Sequence, residues 1–233
     1  MKNTNKNMDG NSYIFKKSDI NKYCSVSDGN LKIHSNEFYR VLIFNLPAVK
    51  TCPFRTKQCE KFCYARKAEK LYKDCLASRE RNFNFSKTAE FVQVISEYIN
   101  LIVELEKKGK GRKVLVRIHE SGDFYNKEYT DKWIEIARRC PDVTFYAYTK
   151  SIVFFDSCQP VKNLTIRASI WRDTKPELME DSFKRFPIYT AYDKKTVSDL
   201  VNNKGWNECE CRDCTKCGKC YDCSVKNIAC VIH

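Results

Sequence analysis

Between residues 41 and 193, short apolar runs alternate with longer stretches of helical periodicity, and no other feature constrains the fold as much. VLIFNLPA (41–48), KVLVRIHES (113–121), VTFYAYT (143–149), LTIRASI (164–170) and PIYTAYD (187–193) read as strands. Pro47 ends the first of them. The second is apolar enough to be buried on both faces. Helical spacing covers 57–81 and, more strongly, 91–108, where Phe91, Val94, Ile95, Tyr98, Ile99 and Ile102 share a face until Gly109 and Gly111 stop it. A further helix is expected over 127–139, with Asn126 as N-cap and Tyr129, Trp133, Ile136 and Ala137 on one side. Thr174 with Glu177, and Thr196 with Asp199, resemble the starts of two more.

Strand followed by helix, repeated, argues for a parallel sheet of βα units. Five to six strands are too few to close an eight-fold barrel. The expected architecture is therefore α/β: a partial, open βα barrel of about five to six parallel strands over residues 39–204. Residues 1–38 form an irregular lead-in, and 205–233 a small cysteine-rich metal-binding segment with too few apolar residues for a core of its own.

Cysteine use narrows the chemistry. Seven of the 14 cysteines fall within 209–230 and three more within 52–63, while Cys24, Cys75, Cys140 and Cys158 are scattered and read as small buried apolar residues. No apolar run reaches 18 residues and the N-terminus is polar, so a cytosolic protein with no membrane span is expected. Thiols stay reduced there, and clustered ones usually bind metal. A formal charge of +13 adds the expectation of an anionic partner, with nucleic acid or a nucleotide the commonest.

Cys52, Cys59 and Cys63 follow the first strand, on a loop running into a helix. Sites in parallel α/β folds assemble at such strand ends. Three thiolates there can take three corners of a 4Fe-4S cluster and leave one iron open. A zinc ion completed from elsewhere, or three buried thiols, fits the spacing too. The tail is denser. Cys211, Cys214, Cys217, Cys220 and Cys223 recur every third residue between Cys209 and Cys230, with His233 last. This spacing suits ferredoxin-like loops and zinc ribbons alike, and charged residues between the thiols argue against a buried core. Two or more clusters are the reading taken forward, with zinc as the alternative.

Two stretches, FNLPAVKTCPFRTKQCEKFCYAR and RIHESGDFYNKEYTDKWIEIARRCPDVTFYAYTKS, resemble the phage gene product 88 family over about residues 40–151, and the cysteine tail ending in His233 is similar as well. More distantly, the layout resembles the radical S-adenosylmethionine superfamily, in which three cysteines after the first strand hold a 4Fe-4S cluster. That resemblance implies an enzyme that cleaves S-adenosylmethionine with an electron from a donor protein, and a cysteine-rich C-terminal segment holding auxiliary clusters. It matches Tyr64 to the aromatic after the last cysteine, and Ser121, Gly122 and Asp123 to the segment that binds the methionine ammonium. Lys150 or Arg167 would pair with the methionine carboxylate. Gaps of six and three residues here, in place of three and two, depart from the superfamily's pattern. A non-catalytic iron–sulfur redox or structural protein and a zinc-stabilised nucleic-acid-binding phage protein are the alternatives. Asp123 could equally cap a turn, and His119 is expected to be a strand residue held by hydrogen bonds.

Overall fold

The computed structural model describes residues 5–6, 12–13, 16–30, 32–209 and 213–232. Strands β1 (Asn5–Lys6) and β2 (Ser12–Tyr13) form a small antiparallel pair. A short helix α1 (Ile20–Tyr23) then leads to β3 (Val26–Ser27), which runs antiparallel along β4 (Tyr39–Phe44). The segment expected to be irregular therefore seals one sheet edge, with Ile20, Cys24 and Ile33 buried.

After β4 come α2 (Lys57–Lys61), α3 (Tyr64–Leu71) and α4 (Lys73–Ser86). The continuous helical pattern expected over 57–81 is thus broken twice, where Cys63 and Tyr72 adopt extended backbone. Helix α5 (Phe91–Lys108) buries all six residues assigned to its apolar face. It is followed by β5 (Lys113–Ile118), α6 (Lys127–Arg139) and β6 (Thr144–Thr149). The Asn126 side chain caps α6 by accepting from the Tyr129 N–H at 2.8 Å. Next are β7 (Leu164–Ile170), α7 (Pro176–Arg185), β8 (Ile188–Tyr192) and α8 (Lys194–Lys204).

Two of the expected caps differ. Pro176 opens α7, where its missing N–H costs nothing, and the Thr174 hydroxyl accepts from the Trp171 N–H instead. For α8, Asp193 is the N-cap and Thr196 is the residue whose N–H it accepts. Gly205 ends that helix at φ +66°, a conformation glycine adopts without strain.

Beyond Gly205 the chain joins the same sheet. It adds β9 (Asn207–Glu208), a single turn α9 (Cys214–Cys217) and β10 (Asn227–Val231), and β10 pairs in parallel with both β8 and β9. The result is an eight-stranded, mostly parallel sheet in the order β3-β4-β5-β6-β7-β8-β10-β9.

From β4 to β8 the order in the sheet follows the order in the chain, and α5, α6 and α7 pack on one face. On that face Leu42, Phe44, Val116, Ile118 and Phe145 pack against α5 and α6. Phe44, Phe91 and Trp133 meet edge to face there, with centroids 5.5–5.7 Å apart. Burying one such large apolar side chain contributes about 1.5–3 kcal/mol. Ala168, Ile170 and Ile188 take Leu178 and Met179 of α7, and Ala229 takes Val197 and Leu200 of α8. The alternate residues of the same strands face the other way. Val41, Ile43, Leu115, Tyr146 and Ile228 there pack with Cys214, Cys220, Tyr221 and Val225, so the cysteine tail covers the second face of the sheet.

Candidate metal centre

The loop after β4 carries Cys52, Cys59 and Cys63, all half-buried free thiols. Its path is fixed at several points. The Leu46 N–H donates to the Ser121 carbonyl (2.9 Å), and the Ser121 hydroxyl donates back to the Leu46 carbonyl (2.8 Å). Fully buried Thr51 donates to the Pro47 carbonyl at 2.7 Å. Gly122 passes this turn so closely, at φ +84°, that a Cβ would lie 2.6 Å from both Leu46 Cβ and Thr51 Oγ1. Only glycine fits. From the other side, Glu69 accepts from the Ala48 N–H and from Arg79, each at 2.8 Å, in a buried ion pair.

Helix α2 is docked across the sheet. Thr56 caps it by accepting from the Cys59 N–H, and the Gln58 N–H donates to Asp173, just past β7, at 2.8 Å. Phe62 stacks on Trp171, with centroids 6.3 Å apart and planes 13° off parallel. The Tyr64 hydroxyl donates to the Glu120 carbonyl at 2.6 Å. The cysteine loop therefore spans the C-terminal ends of β4, β5 and β7.

Asp123 and Lys150 sit at the same edge and both act electrostatically on Cys52, as does Cys59. Burial, with the Asp123 carboxylate adding to it, pushes the Cys52 thiol up to about 12. Burial also raises Asp123 above the ordinary carboxylate value, against hydrogen bonds from Thr149, the Lys150 N–H and the Phe124 N–H. Those donors take both Asp123 oxygens and tie the ends of β5 and β6 together. Ser121 is occupied likewise, its N–H donating to Asn45. Lys150 is half-buried; its Nζ donates to Ser169 at 3.1 Å and lies 5.8 Å from the Trp171 ring centre. His119, buried at φ +67°, shares a hydrogen bond between Nε2 and the Tyr129 hydroxyl at 2.8 Å.

Arg167 corrects one expectation. It is fully buried and its guanidinium donates to the carbonyls of Lys219, Cys220, Asp222, Val225 and Lys226. Every nitrogen is spent on the tail, so the residue is a bolt that fixes the tail to β7 and holds nothing for a small carboxylate.

Around that bolt the tail thiols gather on the second face. Cys209 and Cys230 hydrogen-bond each other, and Cys220 and Cys214 act electrostatically on Cys209. Cys217 acts on Cys214 and on Cys220 as well. Tyr148 hydrogen-bonds Cys220, and Tyr189 hydrogen-bonds Cys230. Cys223 is exposed to solvent. Cys211 and His233 lie outside the described residues. Among the described residues, no three His, Cys, Asp or Glu side chains gather closely enough to hold a single metal ion. Sulfurs sharing one tetrahedral zinc stand only roughly 3.8 Å apart, whereas a cuboidal cluster gives each thiolate its own iron and spaces them more widely.

A further residue, Arg117 of β5, belongs to this second face and is not among the site residues expected from the sequence. The signal was an arginine at an alternating position of an otherwise apolar central strand.

The family model described as Gene product 88 matches residues 15–223. The chain belongs to the gene product 88 family. Two relatives, each called Gene 88 protein, come from mycobacteriophages. That of Mycobacterium phage L5 is 30% identical over 195 residues, covering 74% of this chain and 78% of the relative. That of Mycobacterium phage D29 is 29% identical over 120 residues, half of each chain. No solved structure matches. The gene product 88 match takes in the loop with Cys52, Cys59 and Cys63, Arg117, Arg167 and the tail as far as Cys223. No helix among the described residues is long and apolar enough to cross a membrane.

Proposed function

We propose that this gene product 88 protein is a cytosolic iron–sulfur enzyme of radical S-adenosylmethionine type, built on a partial βα barrel whose inner face the tail covers. Cys52, Cys59 and Cys63 would hold a 4Fe-4S cluster, and the tail thiols one or more auxiliary clusters. One observation carries the reading: three thiols lie on a loop pinned across the C-terminal ends of the parallel strands, with Lys150 and Asp123 acting on the first of them. A mostly parallel sheet with sequential strand order supports it.

When bound and reduced, such a cluster supplies the single electron that breaks a sulfonium carbon–sulfur bond. The protein's part is placement. The Lys150 ammonium, steadied by Ser169 and the Trp171 ring, is positioned to pair with the carboxylate of an amino-acid cofactor. Asp123 aligns Lys150 through its N–H. Glu120, Ser121 and Gly122 keep the loop close to β5. An electron donor protein would have to reach the cluster from outside.

A second reading is favoured by a specific observation. Asp123 and Arg167, both candidates for holding the cofactor, make their hydrogen bonds inside the protein. That suits an iron–sulfur protein with a redox or structural role and no S-adenosylmethionine. Anaerobic protein reduced with dithionite in the presence of S-adenosylmethionine is expected to form 5′-deoxyadenosine and methionine, and the Lys150→Gln variant to form at least tenfold less. Bound iron that reduces without any cleavage product would select the second reading.

A further inference from the structure

Arg117 projects from the centre of β5 onto the second face, between the two groups of thiols. Tyr64, the residue after Cys63, acts on it from the first group, and Cys214 and Cys220 feel its charge from the second. Tyr146 and Tyr148 flank it, and its guanidinium stands 5.4 Å from the Tyr148 ring centre. His119, two residues on, also feels its charge.

The guanidinium has no ion-pair or hydrogen-bond partner among the described residues, and its Nε is buried without one. Glu120, the carboxylate that acts on it, makes no ion pair with it and accepts from the Asn30 side chain instead. The contrast with Arg167 is direct, since that neighbour on the same face fills its donors with backbone carbonyls. An unpaired buried charge is strongly unfavourable, and proteins keep one where something else supplies the opposite charge. Arg117 as a whole residue is half-buried. Its planar fork matches two oxygens of a phosphate or carboxylate, and aromatic walls suit an organic group attached to that oxyanion.

We infer that Arg117 anchors an oxyanion of the substrate, a phosphate ester or a carboxylate, on the inner face between the first cysteine loop and the tail. Its role as a substrate anchor rests on the enzymatic reading above; the anion site itself does not. The site accounts for a cation without an ion-pair partner among the described residues, and it puts the bound molecule beside Tyr64 and the loop of Cys52, Cys59 and Cys63.

The test uses the reduced full-length chain, metal-free and separately after anaerobic iron and sulfide loading. Binding of inorganic phosphate, adenosine 5′-monophosphate, acetate and adenosine is measured by calorimetry and thermal shift, with chloride balancing ionic strength. The oxyanions are expected to bind in both preparations and adenosine not to. Phosphate against acetate tells which oxyanion is preferred. Arg117→Lys is expected to bind at least tenfold more weakly, because an ammonium lacks the fork, and Arg117→Gln not measurably. Lys113→Gln, the same charge change at the exposed start of the strand, is expected to bind as wild type does. Equal binding by wild type and Arg117→Gln would overturn the site, as would no binding at all. Binding to metal-free protein that vanishes on loading would overturn the substrate role and make Arg117 the counter-charge of the tail thiolates. Failure to take up iron leaves the metal-free result standing, so the two proposals fail separately.

Discussion

Replacing Arg167 with methionine is expected to lower stability by about 3–5 kcal/mol and to free the tail. Five carbonyls between Lys219 and Lys226 accept from this one guanidinium at 2.6–3.3 Å, and the side chain is fully buried. Methionine fills much of the volume but donates nothing. Two or three of those carbonyls would stay buried without a partner, at about 1–3 kcal/mol each. Arg167→Lys should recover little, since one ammonium cannot reach acceptors spread on both sides of the fork. Urea unfolding measures the loss, and trypsin the release, through earlier cleavage at Lys216 and Lys219. Stability within 1 kcal/mol of wild type, with no change in cleavage, would show that the tail is held by something else.

The second large effect is a dependence on pH centred on His119. Burial, helped by the charge of Arg117, pushes its imidazole from 6.5 down to about 3. Above pH 6.5 it is neutral in both folded and unfolded chains and the shift has no consequence. Below 6.5 the unfolded chain takes up a proton that the folded one refuses, so stability falls as the pH falls toward 3. At about 1.36 kcal/mol per unit, the full span is worth roughly 4–5 kcal/mol, and two units of it, about 2.7 kcal/mol, are lost by pH 4.5. Asp123 partly offsets this, because burial raises its folded pKa and it gains stability as the pH falls. Asparagine tolerates the positive φ at position 119 and does not titrate. The His119→Asn variant is therefore expected to lose about 2–3 kcal/mol less than wild type between pH 7 and 4.5 in urea unfolding. Identical losses would contradict a neutral buried imidazole.

Residues whose partners lie nearby in the chain were legible from the sequence. Helix α5 runs over the stretch its periodicity marked, and Asn126 caps α6 as its position before Lys127 suggests. Strand β7 matches its apolar run as well. Boundaries failed where two local signals competed. Pro176 outranked Thr174 as a helix start, and Asp193 outranked Thr196.

The tail's place in the sheet was not legible for a different reason. NIACV is a short run that fits beside β8, and its neighbour in the sheet lies some 40 residues earlier in the chain. Arg167 could not be read at all, because its acceptors are backbone carbonyls more than 50 positions away, and a carbonyl leaves no mark in sequence. The same holds for Asp123. Its turn was foreseeable, whereas its ties to Thr149 and Lys150 depend on β5 and β6 lying side by side.

Inorganic content decides whether the two groups of thiols hold iron–sulfur clusters. Iron, acid-labile sulfide and zinc are to be measured in the full chain made and purified without air, beside a Cys52→Ser, Cys59→Ser, Cys63→Ser variant. About four irons and four sulfides are expected for each 4Fe-4S cluster, with the variant losing one cluster and keeping what the tail holds. Colourless, iron-free protein, or stoichiometric zinc with no sulfide, would contradict it.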